Sequence, residues 1–361
     1  VFLSQSDWRS SLRQRILNVT PPDFDALALE LFQYQARYNA VYAEYLHHLR
    51  CLPDKVRSLD EVPFLPISFF KTHRILIPDV PGPTEFASSG TTGETTSRHL
   101  VPDLSLYDAV CQRLFEATYG PLSQFHILGL LPSYLERNNS SLVYMVQRFM
   151  TLSGSSQSGF FLNNHAELTN RLRQLTQEAR HNSQRSEGSG ELARKVLLIG
   201  VTFGLLDWVD EAAESLTWVG AHPDLVVMET GGMKGRRREM LREEVHEELK
   251  GKLGVSAIHS EYGMTELLSQ AYSTGAGIFQ PGATIQVRLR DLNDPFHHYL
   301  PGTTSGKQTG GVNVIDLANL DSCAFIETQD LGQYEGPSGT FRIMGRFDNA
   351  DIRGCNLLVA L

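Results

Sequence analysis

Three consecutive pieces of the chain decide the fold: DLVVMETGGMKG (residues 224–235), RREMLREEVHEELKGKL (237–253) and VSAIHSEYGMTE (255–266). The first reads as a buried strand running into a glycine loop. The second is a strongly charged amphipathic helix, and the third is another strand entering another loop. Strand, helix and strand in this order predict a parallel, right-handed crossover unit. Open parallel sheets bind ligands outside the carboxyl ends of their strands. ETGGMKG and EYGMTE both lie at such ends, so the pattern points to one shared site.

Outward from this unit, KVLLIG (195–200) and HILGLLP (126–132) read as further buried strands, and ELTNRLRQLTQEAR (167–180) as an amphipathic helix. HNSQRSEGSGE (181–191) is polar and glycine-containing and reads as an exposed loop. Residues 1 to about 75 read mainly helical. FDALALELFQYQARYNAVYAEYLHHL (24–49) has apolar residues at helical spacing, until Pro53, Pro63 and Pro66 interrupt it. RILIP (74–78) suggests a short strand. After Gln270 the texture changes to short β-like runs between Gly and Pro turns: ATIQVRLRDL, GGVNVIDL, CAFIETQDLG and GTFRIMGR. The fold class expected is α/β, with parallel sheets and helices plus a β-rich subdomain. No repeat of solenoid length is present.

The 361 residues carry a formal net charge of -9 and are 41% hydrophobic, enough for a substantial core. No dense basic run suggests a nucleic-acid partner, and no apolar run reaches the length of a membrane span. The beginning, VFLSQSDWRSSLRQR, lacks a charged-then-apolar signal pattern, so a cytoplasmic protein is expected. The four cysteines, Cys51, Cys111, Cys323 and Cys355, are scattered without a CxxC pair. They suggest neither a zinc site nor a disulfide framework, and each reads first as a small buried hydrophobe.

FASSGTTGETTSRHLV (86–101) places glycines and small hydroxyl residues between apolar flanks. Such a cluster offers close backbone approach, N–H groups and hydroxyl donors, the requirements for cradling phosphate oxygens. It also reads as a plain surface loop. The P-loop pattern GxxxxGK[ST] and the dinucleotide pattern GxGxxG are absent here. HEELK at His246 lacks the second histidine of HExxH and reads as a solvated helix face. FHHYL holds adjacent histidines that point to opposite sides of a strand, and GSSQSG at Gly154 misses the GxSxG spacing of a nucleophile elbow.

Taken in order, SSGTTGETTSRH, EYGMTE, TQDLG and GRFDNADIRG resemble the motifs of the adenylate-forming superfamily of acyl-activating enzymes. VPFLPISFFKTH, LLPSYLERNNSSLVYM, IGVTFGLLD, METGGMKGRRREM and the terminal RGCNL narrow the resemblance. They are similar to the acyl-protein synthetase family, the fatty-acid-activating component of bacterial bioluminescence fatty-acid reductase. The resemblance covers nearly the whole chain. It implies an adenylation core over residues 1–344, divided into an α/β part (1–269) and a β-rich subdomain (270–344). Residues 345–361 would be a hinge and a short remnant, with the superfamily's mobile C-terminal domain missing or vestigial.

The resemblance also implies roles. Ser88, Ser89, Gly90, Thr91, Thr92 and Gly93 would wrap the phosphates of ATP. Gly231 and Gly232 would let the backbone lie against adenine, where a Cβ would obstruct it, and Tyr262 and Gly263 would complete that wall. Thr265 would contact the α-phosphate and Glu266 would hold Mg2+ with a hard oxygen. Asp330 would accept from the ribose hydroxyls, with Arg346 near ribose and phosphate. Cys355 would accept the acyl group, because a thiolate attacks an anhydride readily and a thioester is a good donor. Each has a structural alternative: Tyr262 in core packing, Glu266 as a helix cap, Asp330 in a turn, Lys234 as one more charge beside Arg236 to Arg238, Cys355 as a buried thiol.

Two departures from the superfamily pattern stand out. The loop carries ETTSRH where a Pro-Lys-Gly segment is usual, leaving Arg98 or His99 as substitutes for a phosphate-binding lysine. Nothing the size of a C-terminal domain follows Asp348, so adenylation would proceed without that domain's lysine or a partner would supply the surface. The expected function is ATP-dependent activation of a carboxylic, fatty acid, with acyl transfer to a protein thiol. Direct use of CoA as an acyl-CoA or aryl-CoA ligase is the first alternative, and a non-catalytic nucleotide-binding partner subunit the second. GVTFGLLDWV could line an acyl tunnel or belong to the core.

Overall fold

The computed structural model describes residues 4–80, 82–88, 96–132, 139–185, 194–231, 237–238, 240–302 and 308–346. Contacts divide the chain into two units: Pro83–Gly282, and Val1–Gly82 together with Ala283–Leu361.

Pro83–Gly282 is built on a six-stranded sheet. Gly159–Phe160, Phe125–Leu130, Lys195–Val201, Leu225–Thr230 and His259–Tyr262 are its parallel strands, in that spatial order. Ala271–Ser273 closes the far edge antiparallel to His259–Tyr262. The strands are apolar because both faces are covered: Val196, Leu197, Leu198 and Ile199 are each at most 1% exposed. From Phe125–Leu130 the chain crosses through helix Ser141–Ser153 to one side, then returns through His165–Arg185 to the other. Right-handed crossovers in opposite directions put those helices on opposite faces. Thr202–Glu211 and Arg242–Leu253 continue in the second direction. Both parallel strands anticipated in 224–266 are present, adjacent and in register from Met228↔His259 to Thr230↔Glu261.

The stretch around residues 86–101 is a hairpin. Thr84–Ala87 pairs antiparallel with Arg98–Val101, and beyond the ladder Ser88 N–H donates to Ser97 O at 3.0 Å.

In the other unit, Phe325–Tyr334, Thr309–Asp316 and Ile285–Arg290 form an antiparallel sheet, flanked by His298–Tyr299 and Phe341–Arg346. Leu65–Pro66 adds a short parallel strand at Ile326 and Glu327. Helices Gln5–Asn18, Phe24–Tyr38 and Ala40–His48 belong to this unit. Phe32 and Tyr42 meet Phe325 at centroid distances of 5.9 and 6.4 Å. Gln35 donates to Asn319 O at 2.7 Å and accepts from Ala324 N at 2.9 Å; Asn39 donates to Ser322 O at 2.8 Å. Arg9 forks onto Asp321 with two bonds of 2.6 Å. These contacts group the N-terminal helices with the β-rich segments, a partition that a linear division at residue 270 does not draw.

Three local expectations change. RILIP is not a strand: Ile75 and Ile77 are buried, but the backbone makes no ladder and instead sends Ile77 N–H to Asp321 O at 2.8 Å. The loop expected from His181 begins later, because helix His165–Arg185 runs on through its first five residues. The helix expected from Arg237 starts at Arg242, where Glu244 accepts from Leu241 N–H at 3.1 Å.

Candidate functional site

Within Pro83–Gly282, the strands Leu225–Thr230 and His259–Tyr262 deliver Gly231 and Gly263 at their carboxyl ends, as their sequence pattern predicts. Gly231 has φ +76°, a left-handed turn out of the strand that a side chain would resist. Gly263 is exposed, and a Cβ built there would overlap Glu261 Oε1. Tyr262 is 7% exposed and packs 5.8 Å from Phe279, so its ring is part of the core. Thr265 is partly exposed, and its carbonyl accepts from His99 Nδ1 at 2.9 Å. Glu266 is 5% exposed. No helix follows it, which removes the helix-cap alternative.

His99 does not serve as a phosphate-binding cation. It is 1% exposed on the return strand of the hairpin, and burial pushes its pKa down to about 4. Because a carbonyl only accepts, Nδ1 carries the proton, and the neutral ring pins the Thr265 backbone to the hairpin. Ser88 closes the same hairpin, its Oγ accepting from Ser97 N–H at 3.0 Å. Ser89, Gly90, Thr91, Thr92, Gly93, Gly232, Lys234 and Cys355 lie outside the described residues.

Two carboxylates go unnoticed in the sequence reading. Glu229 and Glu261 each stand two residues before a loop glycine. Register pairs Glu229 with Ser260 and Thr230 with Glu261, so the two side chains take opposite faces of the sheet. Glu229 faces the helices: Arg242 Nε is 3.1 Å away, His246 Nε2 3.6 Å, and Thr202 Oγ1 donates at 3.0 Å. Burial works to raise its pKa, but the His246 and Arg242 partners prevail and hold it below the usual carboxylate value. His246 is therefore buried, 6% exposed, rather than solvated. It shares the inward face of its helix with Leu249 and Leu253. Glu261 faces the other way. It accepts a hydrogen bond from the Thr230 hydroxyl, and burial pushes its pKa up to about 7, with the Glu229 charge adding to the rise.

In the other unit, the anticipated pair Asp330 and Arg346 are cross-strand neighbours in the ladder, with Arg346 Nε 3.3 Å from the Asp330 carboxylate. Asp330 is buried and Arg346 largely exposed. Asp330 thus sits in a strand rather than a turn. Below the ladder, Arg290 is 4% exposed and donates to Val312 O, Asn313 Oδ1 and Thr328 O at 2.8–3.1 Å.

Cys111 and Cys323 are fully buried, and burial raises both thiols, Cys323 to about 12. Neither can supply a thiolate near neutrality. Phe203, Leu205, Leu206, Trp208 and Val209, the candidate tunnel residues, are packed into the core. Among the described residues no group of three or more His, Cys, Asp or Glu could hold a metal ion, and no helix is long and apolar enough to cross a membrane.

No protein-family model matches the chain, and no curated protein sequence matches it. Solved structures do. The crystal structure of 2-hydroxyisobutyryl-CoA ligase in complex with 2-HIB-AMP and CoA matches with a TM-score of 0.60 at 14% identity, over 93% of this chain and 71% of that one. An ATP-bound RpMatB–BxBclM chimera matches at 15% identity with a TM-score of 0.49, over 73% of this chain and 47% of that one. A long-chain-fatty-acid-CoA ligase from Archaeoglobus fulgidus matches at 14% identity with a TM-score of 0.44, over 73% of this chain and 51% of that one. The first of these carries the fold: the chain shares the α/β fold of that CoA ligase over most of its length.

Proposed function

We propose that this chain activates a carboxylic acid, a fatty acid by its sequence resemblance, as an acyl-adenylate and transfers the acyl group to a thiol. The observation that carries the reading is the EYGMTE loop, at the carboxyl end of a parallel strand in a fold shared with an acid–CoA ligase. In the first step a carboxylate oxygen bonds to the α-phosphorus of ATP, the bond to the β-phosphate bridge breaks, and pyrophosphate leaves with the electron pair. In the second a thiolate bonds to the acyl carbon and AMP leaves.

Ser88, with Ser89 to Gly93, would donate to the phosphates, and Thr265, its backbone fixed by His99, would meet the α-phosphate. Gly231, Gly232, Tyr262 and Gly263 would form the adenine wall. Asp330 would take the ribose hydroxyls beside Arg346. Mg2+ needs only one or two protein carboxylates when substrate phosphates complete its shell, so the single carboxylate of Glu266 fits it. The ion would neutralise charge on the phosphates.

For the acceptor, the resemblance points to Cys355 or a partner's thiol; Cys111 and Cys323 are buried and inert, and burial with the Glu61 charge raises the partly exposed Cys51 thiol. The fold shared with a CoA-bound ligase supports a second reading, in which CoA accepts directly.

The test is carboxylate-dependent ATP–pyrophosphate exchange with Mg2+ across a series of fatty and aromatic acids. Exchange with one class of acid is expected, and Asp330→Asn should raise the KM for ATP about tenfold or more, the loss of a charged hydrogen bond. ATP binding without exchange for any acid would replace this reading with a non-catalytic nucleotide-binding subunit. Acyl transfer that survives Cys355→Ser and requires CoA would assign the acceptor to CoA.

A further inference from the structure

Glu261 has no place in the reaction just described, yet its carboxyl touches both glycine turns of the site. It is 7% exposed. One oxygen accepts from Thr230, the last residue before the left-handed turn at Gly231. The other fills the space over Gly263 that a Cβ would need. The groups packed about it are uncharged or acidic. Helix Leu104–Tyr119 brings Tyr107 with Cys111 beside it, strand Ala271–Ser273 brings Tyr272 and strand Leu225–Thr230 brings Thr230, while the Glu229 charge acts from the opposite face of the sheet. The nearby cation Arg242 is engaged by Glu229 on the opposite face, as is the His246 ring.

We propose that Glu261 is a positioning residue whose protonated carboxyl holds the Gly231 and Gly263 turns in the arrangement that receives nucleotide, so that nucleotide binding takes up a proton. The inference rests on the acid-activating reading above. A carboxyl that burial already holds near pH 7 needs only a small additional bias. The polyanionic phosphates of ATP supply it, because a nearby negative charge further disfavours the ionised form. The direction follows from linkage. The complex binds more protons than the free protein, so affinity falls as pH rises above 7, by up to about tenfold per pH unit for one linked proton.

The experiment is calorimetric titration of the full chain with a non-hydrolysable ATP analogue and Mg2+ between pH 7 and 9, in two buffers of different ionisation enthalpy. The wild type should take up a proton and lose affinity across this range. Glu261→Gln should bind with a flatter profile and no buffer-dependent heat beyond that of the nucleotide itself. Thr230→Val removes a hydroxyl that lowers the Glu261 pKa, so its affinity loss should begin at higher pH; it also decides the matter if Glu261→Gln does not fold. Identical profiles in wild type and both variants would overturn the role of Glu261 while leaving the nucleotide site intact. No binding by any of the three proteins would overturn the acid-activating reading, and this inference with it.

Discussion

His99 and Glu261 are both buried, and burial moves each toward its neutral form, one pKa down and the other up. The consequence for His99 has a definite sign. Its folded pKa of about 4 lies below that of the unfolded chain, so between those values the unfolded chain binds more protons. Stability should therefore fall as pH drops from 7 toward 4, by on the order of 3 kcal/mol from this residue. His99→Gln still offers an N–H to the Thr265 carbonyl but does not titrate. Its urea-unfolding free energy should decline less steeply over that range, and equal slopes in both proteins would refute the account. His99 also shows what sequence conceals. The glycines and hydroxyls of EYGMTE announce a loop and its chemistry by type and spacing alone. The imidazole that pins that loop comes from 166 residues earlier and bonds a backbone carbonyl, which carries no sequence signal at all. Glu261 was in view within the same motif. Only the register against Thr230 turns it away from the Arg242 and His246 side chains that Glu229 meets.

At the scale of elements, the helix Arg242–Leu253 illustrates how tightly the site's scaffold is specified. It ends at Gly254 with φ +66°, where a Cβ would overlap Thr217 O; Gly251, within the helix, has open space around its own. Gly254→Ala should cost the left-handed penalty plus the steric clash, more than about 2 kcal/mol, and lower the melting temperature by ~4 °C or more. Gly251→Ala should instead stabilise by about 0.5–1 kcal/mol, since Gly is the poorer helix former. Thermal melts that move in the same direction for both variants would contradict this picture. The elements themselves were largely legible, because buried parallel strands and amphipathic helices differ in period. Their ends were less so. Helix His165–Arg185 extends through polar residues that read as a loop, and RILIP buries its isoleucines without pairing as a strand. Helix propensity and burial are visible in a sequence; the neighbour that would complete a ladder is not.

For the whole molecule, the least visible feature was which segments belong together. The β-rich texture after Gln270 was plain, but its alliance with the N-terminal helices depends on contacts such as Gln35 with the 319–324 turn, some 284–289 residues away along the chain. Gln35 is fully buried and there donates to the Asn319 and Leu320 carbonyls and accepts from the Ala324 N–H. Gln35→Ala should leave the Ala324 N–H without its partner, while Asn319 O keeps the bond from Ser322 N–H, and cost roughly 1–3 kcal/mol. Hydrogen exchange should show protection lost in Phe24–Tyr38 and Phe325–Tyr334, with Lys195–Val201 little changed; uniform loss would refute a local clamp. The same division has a consequence for synthesis. Pro83–Gly282 is one uninterrupted run, whereas the other unit is assembled from both flanks. During translation every strand of the parallel sheet leaves the ribosome before Phe325, against which Phe32 and Tyr42 pack, has been added. The first helices must wait with their aromatic faces uncovered, and that interval is when the nascent chain is most exposed to self-association and has most use for a chaperone.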